Sequence, residues 1–299
     1  MLAITTTKGN VSARRAADNV ARVLELAGRS DIAISAGSDT RYGAHPDLRP
    51  AHAIHGADGI GNTGRATPVW EPDPRSAVTL LSETVRAHPD ALTLLTLGPL
   101  TNIARLLDHD PGVSGLLGQL VAMGGTVVSQ GNALPVGEAN VAHDPSAAAR
   151  VASVDWTCPP LLVPLDVTLT ATLSSLEFDA LASEATPAGK DLHAPLEFYR
   201  VFGGTFSPDG ESPCHDLTAA VIAHEPHLVQ APLLPFGVDV SGGLAWGTTV
   251  VDRRQRFFER AGSTQASPPG LTPWRIALEI DVDATRSRYR TLFLGHDTS

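Results

Sequence analysis

Five short apolar runs recur through the N-terminal part of the chain: LAITTT, DIAIS, LTLLTL, QLVAM and LLVPLD. Each is bounded by Gly, Pro or Asn and is too short for a helix, so each reads as a strand. Between them SARRAADNVARVLELAG, PRSAVTLLSETVRAH and DPSAAARVASV carry apolar residues at helical spacing, the first closing at Gly28. Strand alternating with helix predicts an α/β fold, a doubly wound and mainly parallel sheet covered on both faces. A chain of 299 residues with 42% hydrophobic and 18% charged residues can bury such a core. Its 27 Gly and 23 Pro punctuate many short elements. No repeat and no domain linker stands out, which predicts a single domain over residues 1–299. The stretch GSTQASPPGLTP reads as a loop.

In sheets of this kind ligands bind beyond the carboxyl ends of the strands. Those ends carry TKGN, GPLTN, MGG and LDVT, which converge in principle on one cleft. The partners expected there are small molecules. A net charge of −10 leaves no basic surplus to neutralise phosphates, which argues against nucleic acid and anionic membranes. No run approaches the length of a membrane span, and neither end carries a targeting signal, so the cytoplasm is the expected location. Cys158 and Cys214 form no metal-ligand spacing and no disulfide framework, which suits a reducing compartment.

Three stretches offer chemistry. GNALPVGEAN presents Asn132, Glu138 and Asn140, and an extended backbone would point Glu138 and Asn140 to the same side. Two carboxamides and a carboxylate suit a polyol, although a solvated loop between strand and helix would use the same residues. CHDLTAAVIAH places His215 and Asp216 where a helix begins. Asp216 there either caps the helix or binds a hard cation or sugar hydroxyls, while an imidazole at His215 can donate a proton near neutral pH. His55 lies in IHGADGIG, a glycine-rich segment that reads either as a lid over the cleft or as an exposed loop. GIGNTG satisfies G-x-G-x-x-G, but no strand leads into it and no helix opens within it, so a dinucleotide site is rejected. No G-x-S-x-G elbow and no H-E-x-x-H occurs, which leaves serine hydrolase and zincin readings unsupported.

Taken in order, ITTTKGN, IHGADGIG, LGPLTNIA, VAMGG, GNALPVGEAN, HDPSAAA, LDVT and CHD resemble the successive signatures of the inosine/uridine-preferring nucleoside hydrolase family, as far as about residue 225. The resemblance implies hydrolysis of the N-glycosidic bond of ribonucleosides to ribose and free base, with a calcium ion held in a doubly wound α/β domain. It implies that Asn132, Glu138 and Asn140 hold the ribose hydroxyls, that Met123 lies under the sugar, and that Asn10 lines the same pocket. Asp216 would bind calcium and a ribose hydroxyl, with the carbonyl of Leu97 as a second calcium ligand, and His215 would assist base departure. The implied assembly is a homodimer or homotetramer.

One signature is missing. The family's first strand ends in an aspartate-rich motif, D-x-D-x-G-x-D-D, that supplies calcium carboxylates and the general base; this sequence has no such motif and begins where the second strand should begin. The gap corresponds to roughly 30 residues, about one strand-helix unit. Either the complete product starts upstream of Met1, or truncation has left a non-catalytic ribose-binding or subunit-assembly protein that binds calcium weakly or not at all. Losing a central strand would leave edges of LAITTT and LTLLTL unpaired, which favours the first.

Overall fold

The computed structural model describes residues 1–44, 48, 51–64, 66, 68–183, 187–203, 211–254 and 266–294. The chain order is β1 (Ala3–Thr6), α1 (Ala13–Leu26), β2 (Ala33–Ala36), α2 (His52–His55), α3 (Ala77–Ala87), β3 (Thr93–Thr96) and α4 (Thr101–His109). It continues through β4 (Gln119–Met123), α5 (Ala139–His143), α6 (Pro145–Ala152), β5 (Leu161–Val163), α7 (Leu165–Thr168), β6 (Thr172–Leu173), α8 (Ser175–Ser183) and α9 (Pro187–Gly203). The last part holds β7 (Ser212–Pro213), α10 (His215–His224), β8 (Val229–Gln230), β9 (Leu233–Val238), β10 (Thr249–Val251), β11 (Thr272–Ile276), β12 (Glu279–Ile280) and α11 (Val282–Leu294).

The main sheet has six strands in the order β10-β9-β11-β5-β4-β3. Strands β3, β4, β5 and β11 run parallel, while β9 and β10 are antiparallel additions at one side. Because side chains alternate across a strand, β4 and β5 feed two separate cores. Leu120, Ala122 and Leu162 pack with Ile103, Leu106 and Leu107 of α4 and with Ala147 and Val151 of α6. Val121, Met123, Leu161 and Val163 pack with Ala219 and Ile222 of α10. Every residue of β4 from Leu120 to Met123 is buried, as strands covered on both faces require. The mainly parallel α/β fold expected from the sequence is therefore the fold observed.

Several details differ from the sequence expectation. The parallel strands do not form one sheet: β1 pairs with β2, from Ala3 against Ala33 to Thr6 against Ala36, as a separate two-stranded sheet. No ladder joins β1 to β3. The run LLVPLD is strand only as far as Val163, since Pro164 has no N–H for a ladder and instead precedes α7. The Ser/Pro/Gly stretch is irregular over residues 266–271 and enters β11 at Thr272, while residues 262–265 lie outside the described residues.

The two-stranded sheet is held by α1, whose Ala17 and Ala21 pack on Ile34 of β2. Ser12 caps α1 by accepting from the Arg15 N–H at 3.2 Å, and Asp39 Oδ1 accepts from the Ala13 N–H at 2.6 Å. Gly28 follows the helix at φ +65°, a left-handed conformation that glycine adopts without strain. The GIGNTG segment is a loop, as its flanks required. Its Gly61, at φ +75°, passes so close to α9 that a Cβ would lie 2.8 Å from Cβ of Phe198.

Candidate active site

The carboxyl ends of β1, β3 and β4 and the first turn of α10 surround a cavity of about 680 Å³. Asn10, His55, Leu97, Met123, Asn132, Glu138, Asn140, His215 and Asp216 all line it, so every site residue named from the sequence faces one space.

Residues 131–140 do not run extended. They fold back through a turn, with a bridge between Leu134 and Gly137, and Glu138 then becomes the N-cap of α5. Gly and Pro favour the turn, and the short helix that follows is held largely by its capping carboxylate. Glu138 Oε2 accepts from the Gly125 N–H at 2.9 Å and the Val141 N–H at 3.1 Å, and Oε1 from the Asn140 N–H at 2.9 Å. Burial pushes the Glu138 pKa up, and these three N–H groups work against that. Glu138 and Asn140 thus reach the cavity from a helix start rather than from a strand, and much of the Glu138 carboxylate is already engaged.

The amide of Asn140 is fixed from behind. Its Nδ2 donates to the Met123 carbonyl at 3.1 Å and contacts Met123 Sδ at 3.3 Å, leaving Oδ1 without a partner among the described residues. Asn132 Oδ1 accepts from the Ala139 N–H at 2.9 Å and so closes the turn that carries it.

Asp216 is not the helix cap. Cys214 holds the cap position and no side chain bonds there, while Asp216 stands in the first turn of α10. Its carboxylate forms no hydrogen bond or ion pair with any described residue, and its side chain is open to the cavity. The protein walls around the cavity, followed by the negative charge of Glu138, raise its pKa to about 7. The side chain is exposed to the cavity, and water contact there and the helix dipole oppose that shift.

His215 lines the same cavity, its Nδ1 2.7 Å from Thr168 Oγ1. Burial, aided by the neighbouring His55, lowers its pKa to about 4. Near neutrality the ring is uncharged, so it offers an N–H hydrogen bond rather than the acidic proton expected from its sequence. His55 ends α2 and stacks on Tyr199 of α9, with ring centroids 5.9 Å apart and planes at 27°. Tyr199 in turn donates to the Pro213 carbonyl at 2.8 Å, two residues before His215. The glycine-rich segment after His55 is tied internally, with Asn62 Oδ1 accepting from the Ala57 N–H and Asp58 Oδ1 from those of Ile60 and Asn62.

Among the described residues the cavity does not make a calcium site. A hard dication takes six to eight oxygens, several of them anionic. The cavity offers the Asp216 carboxylate and the Leu97 carbonyl, whereas Glu138 is occupied by main-chain donors. Among the described residues no three acidic, His or Cys side chains gather as a metal group.

Sequence reading missed Tyr199, Phe178, His143 and Cys214, which also line the cavity, and Thr168 behind it. Thr168 lies within LDVT, a stretch recognised as a strand terminus but not assigned a role.

Fold and cavity together define an α/β protein with a cleft at the ends of its parallel strands, apolar over most of its wall and set with a few polar side chains, the usual place for a small ligand. The family model described as inosine-uridine preferring nucleoside hydrolase matches residues 1–287. A probable uridine nucleosidase 2 of Arabidopsis thaliana is 30% identical over 294 residues, covering 95% of this chain and 86% of that protein. The solved plant nucleoside hydrolase PpNRh1 enzyme superposes with a TM-score of 0.88 at 28% identity, covering 97% of this chain and 89% of that one. A purine-preferring ribonucleoside hydrolase from Gardnerella vaginalis superposes with a TM-score of 0.86 at 27% identity, covering 99% and 90%. The chain belongs to the inosine-uridine preferring nucleoside hydrolase family.

Proposed function

We propose that this protein hydrolyses the N-glycosidic bond of ribonucleosides, giving ribose and a free base. The observation that carries the reading is the Asp216 carboxylate, which no described residue engages and which faces a cavity shared with Asn140 and Glu138. Ribose offers a vicinal diol to such acceptors. As the C1′–N bond breaks, its electron pair leaves with the base and positive charge builds on the sugar. Fixed carboxylate and amide oxygens then bind the sugar more tightly than in the ground state. Water adds at C1′, one of its protons balances the charge on the base, and an N–H of His215 stabilises the departing ring. The described residues do not form a calcium site, and the roles above rest on this chain's own side chains.

The substrate class is ribonucleosides; one relative is named for uridine and another for purines. Two further features belong to the proposal. A cytoplasmic location is supported by two free cysteines, and no described helix is long and apolar enough to cross a membrane. Assembly as a homodimer or homotetramer is checked by light scattering. The deciding experiment is chromatographic detection of free base from inosine, uridine, adenosine and cytidine, with Asp216→Asn as the control. Release by the wild type and its loss in the variant support the reading. Nucleosides that raise the melting temperature without turnover would instead establish a non-catalytic binder.

A further inference from the structure

Thr168 is fully buried at the end of α7, and its hydroxyl has one partner among the described residues, Nδ1 of His215 at 2.7 Å. Threonines near helix ends commonly return their hydroxyl to a carbonyl of the preceding turn. Thr84, Thr218 and Thr285 do so here, donating to Leu80, Cys214 and Asp281. Thr168 does not: the Pro164 carbonyl one turn back accepts main-chain N–H groups of Val167 and Thr168, and the hydroxyl turns to the imidazole.

That geometry selects a tautomer. A neutral imidazole carries one N–H and one bare nitrogen, and a hydroxyl carries one hydrogen. If Nδ1 held the proton and donated to Oγ1, the threonine hydrogen would be buried with no acceptor. If the hydroxyl donates to a bare Nδ1, every donor at this contact is satisfied and the ring proton sits on Nε2. Buried donors are almost always paired, so the second arrangement is the stable one. Nδ1 being occupied, Nε2 is the polar atom that His215 has left to offer the cavity it lines.

We propose that Thr168 is a positioning residue that locks His215 in the Nε2–H form, so that the ring presents a hydrogen-bond donor, and not a lone pair, to the leaving base. The tautomer follows from the buried contact alone; its use against a leaving base rests on the function proposed above. As the glycosidic electron pair moves onto the base, the accepting atom there becomes more basic and the Nε2–H bond strengthens. With the proton on Nδ1, two lone pairs would face each other at that point.

The test reads the tautomer and the kinetics separately. Long-range proton–nitrogen correlation spectra of nitrogen-15-labelled protein at about pH 7.5, with His215 assigned by difference from His215→Gln, report which ring nitrogen carries hydrogen. Nε2–H is expected in the wild type and in Thr168→Ser, with a mixture or Nδ1–H in Thr168→Val. For kcat/KM on inosine and uridine, Thr168→Val should lose on the order of ten- to a hundredfold, up to the lower bound of what proton-donating groups themselves contribute. It should change nitrophenyl riboside hydrolysis by no more than about threefold, because that leaving group needs no donor. Thr168→Ser should restore most of the loss. An Nδ1–H wild type, which needs no variant to detect, would overturn the proposal, as would a valine variant with unchanged tautomer. Equal losses on nucleosides and nitrophenyl riboside would overturn the leaving-group role. Nε2–H in a wild type that releases no base from any nucleoside would overturn the functional reading and leave the tautomer assignment standing.

Discussion

The side-chain amide of Asn102 donates to the main-chain carbonyl of Thr6 at 2.8 Å, across the line where β1 and β3 share no ladder. Asn102 belongs to α4, which packs on the six-stranded sheet, whereas Thr6 ends a strand of the two-stranded one. A second contact reaches Thr5 Oγ1 at 3.3 Å, and Asn102 is itself buried. The residue therefore ties the two sheets at the end where Asn10 enters the cavity.

Asn102→Ala should leave the Thr6 carbonyl with the Gly37 N–H as its remaining donor and cost about 0.5–1.5 kcal/mol of stability. KM should rise as Asn10 loses its place. Urea unfolding and steady-state kinetics measure the two effects. A variant as stable as the wild type would show that the sheets are held by packing alone.

Glu138→Gln tests the cap and the cavity wall together. The carboxylate accepts from three main-chain N–H groups, but an amide has one acceptor oxygen and turns an NH₂ toward at least one of those donors. A loss of about 1–3 kcal/mol is expected, together with a fall in kcat/KM as α5 and Asn140 shift. Glu138→Ala should be worse on both counts. Kinetics unchanged in both variants would remove Glu138 and its helix from the sugar site.

Glu177 gives the pH dependence. Burial alone would raise its pKa, but hydrogen bonds from the Ser174 N–H and hydroxyl and from Arg290 and Arg286 outweigh that and bring it down to about 2. A pKa depressed in the folded state adds stability that is fully present above the ordinary glutamate value near 4.5 and is lost as pH falls toward about 2. Glu177→Gln should therefore melt several degrees below the wild type at about pH 7, and the gap should narrow steadily from about pH 4.5 to pH 3. A gap that stays constant over that range would assign the effect to packing rather than to charge. Because Glu177 ties α8 to α11, and α8 carries Phe178 to the cavity, the variant also reports how far this lock supports the site.

The sheet was legible because β3, β4 and β5 are short apolar runs with abrupt ends, and Pro164 marks a stop that any strand must respect. Asn132, Glu138, Asn140, His215, Asp216 and His55 were legible as candidates from their residue types, but Asn10, Leu97 and Met123 only through the order of several short blocks; no spacing rule joins Asn10 to Asp216. What stayed hidden is non-local. Thr168 meets His215 across 47 residues, and Tyr199 meets the carbonyl before Cys214 from a different helix. The helical start of α5 was hidden for another reason, since Gly, Pro and Asn dominate 131–140 and the carboxylate that organises the helix reads equally well as a ligand. Separation of β1 and β2 from the main sheet shows only in pairing, because each strand has the same composition whichever neighbour it takes.

Asp216 is the residue whose replacement separates function from folding. It has no hydrogen bond or ion pair to lose among the described residues, and its ionisation is opposed by the enclosing walls and by Glu138. A raised pKa means that the folded state holds its proton where the unfolded chain has released it, so ionising this group weakens folding as pH rises from about 4 toward about 7. Asp216→Asn keeps the size and removes the charge. Its melting temperature at about pH 8 should equal or exceed that of the wild type, while near pH 4 the two should converge. Base release should nevertheless fall by about a hundredfold or more, the scale on which preorganised charge acts on a transition state. A group that costs stability and supports turnover has the signature of a functional site. If Asp216→Asn melts several degrees lower yet still releases base at the wild-type rate, the carboxylate is a structural element and the sugar-binding assignment of this cavity falls with it.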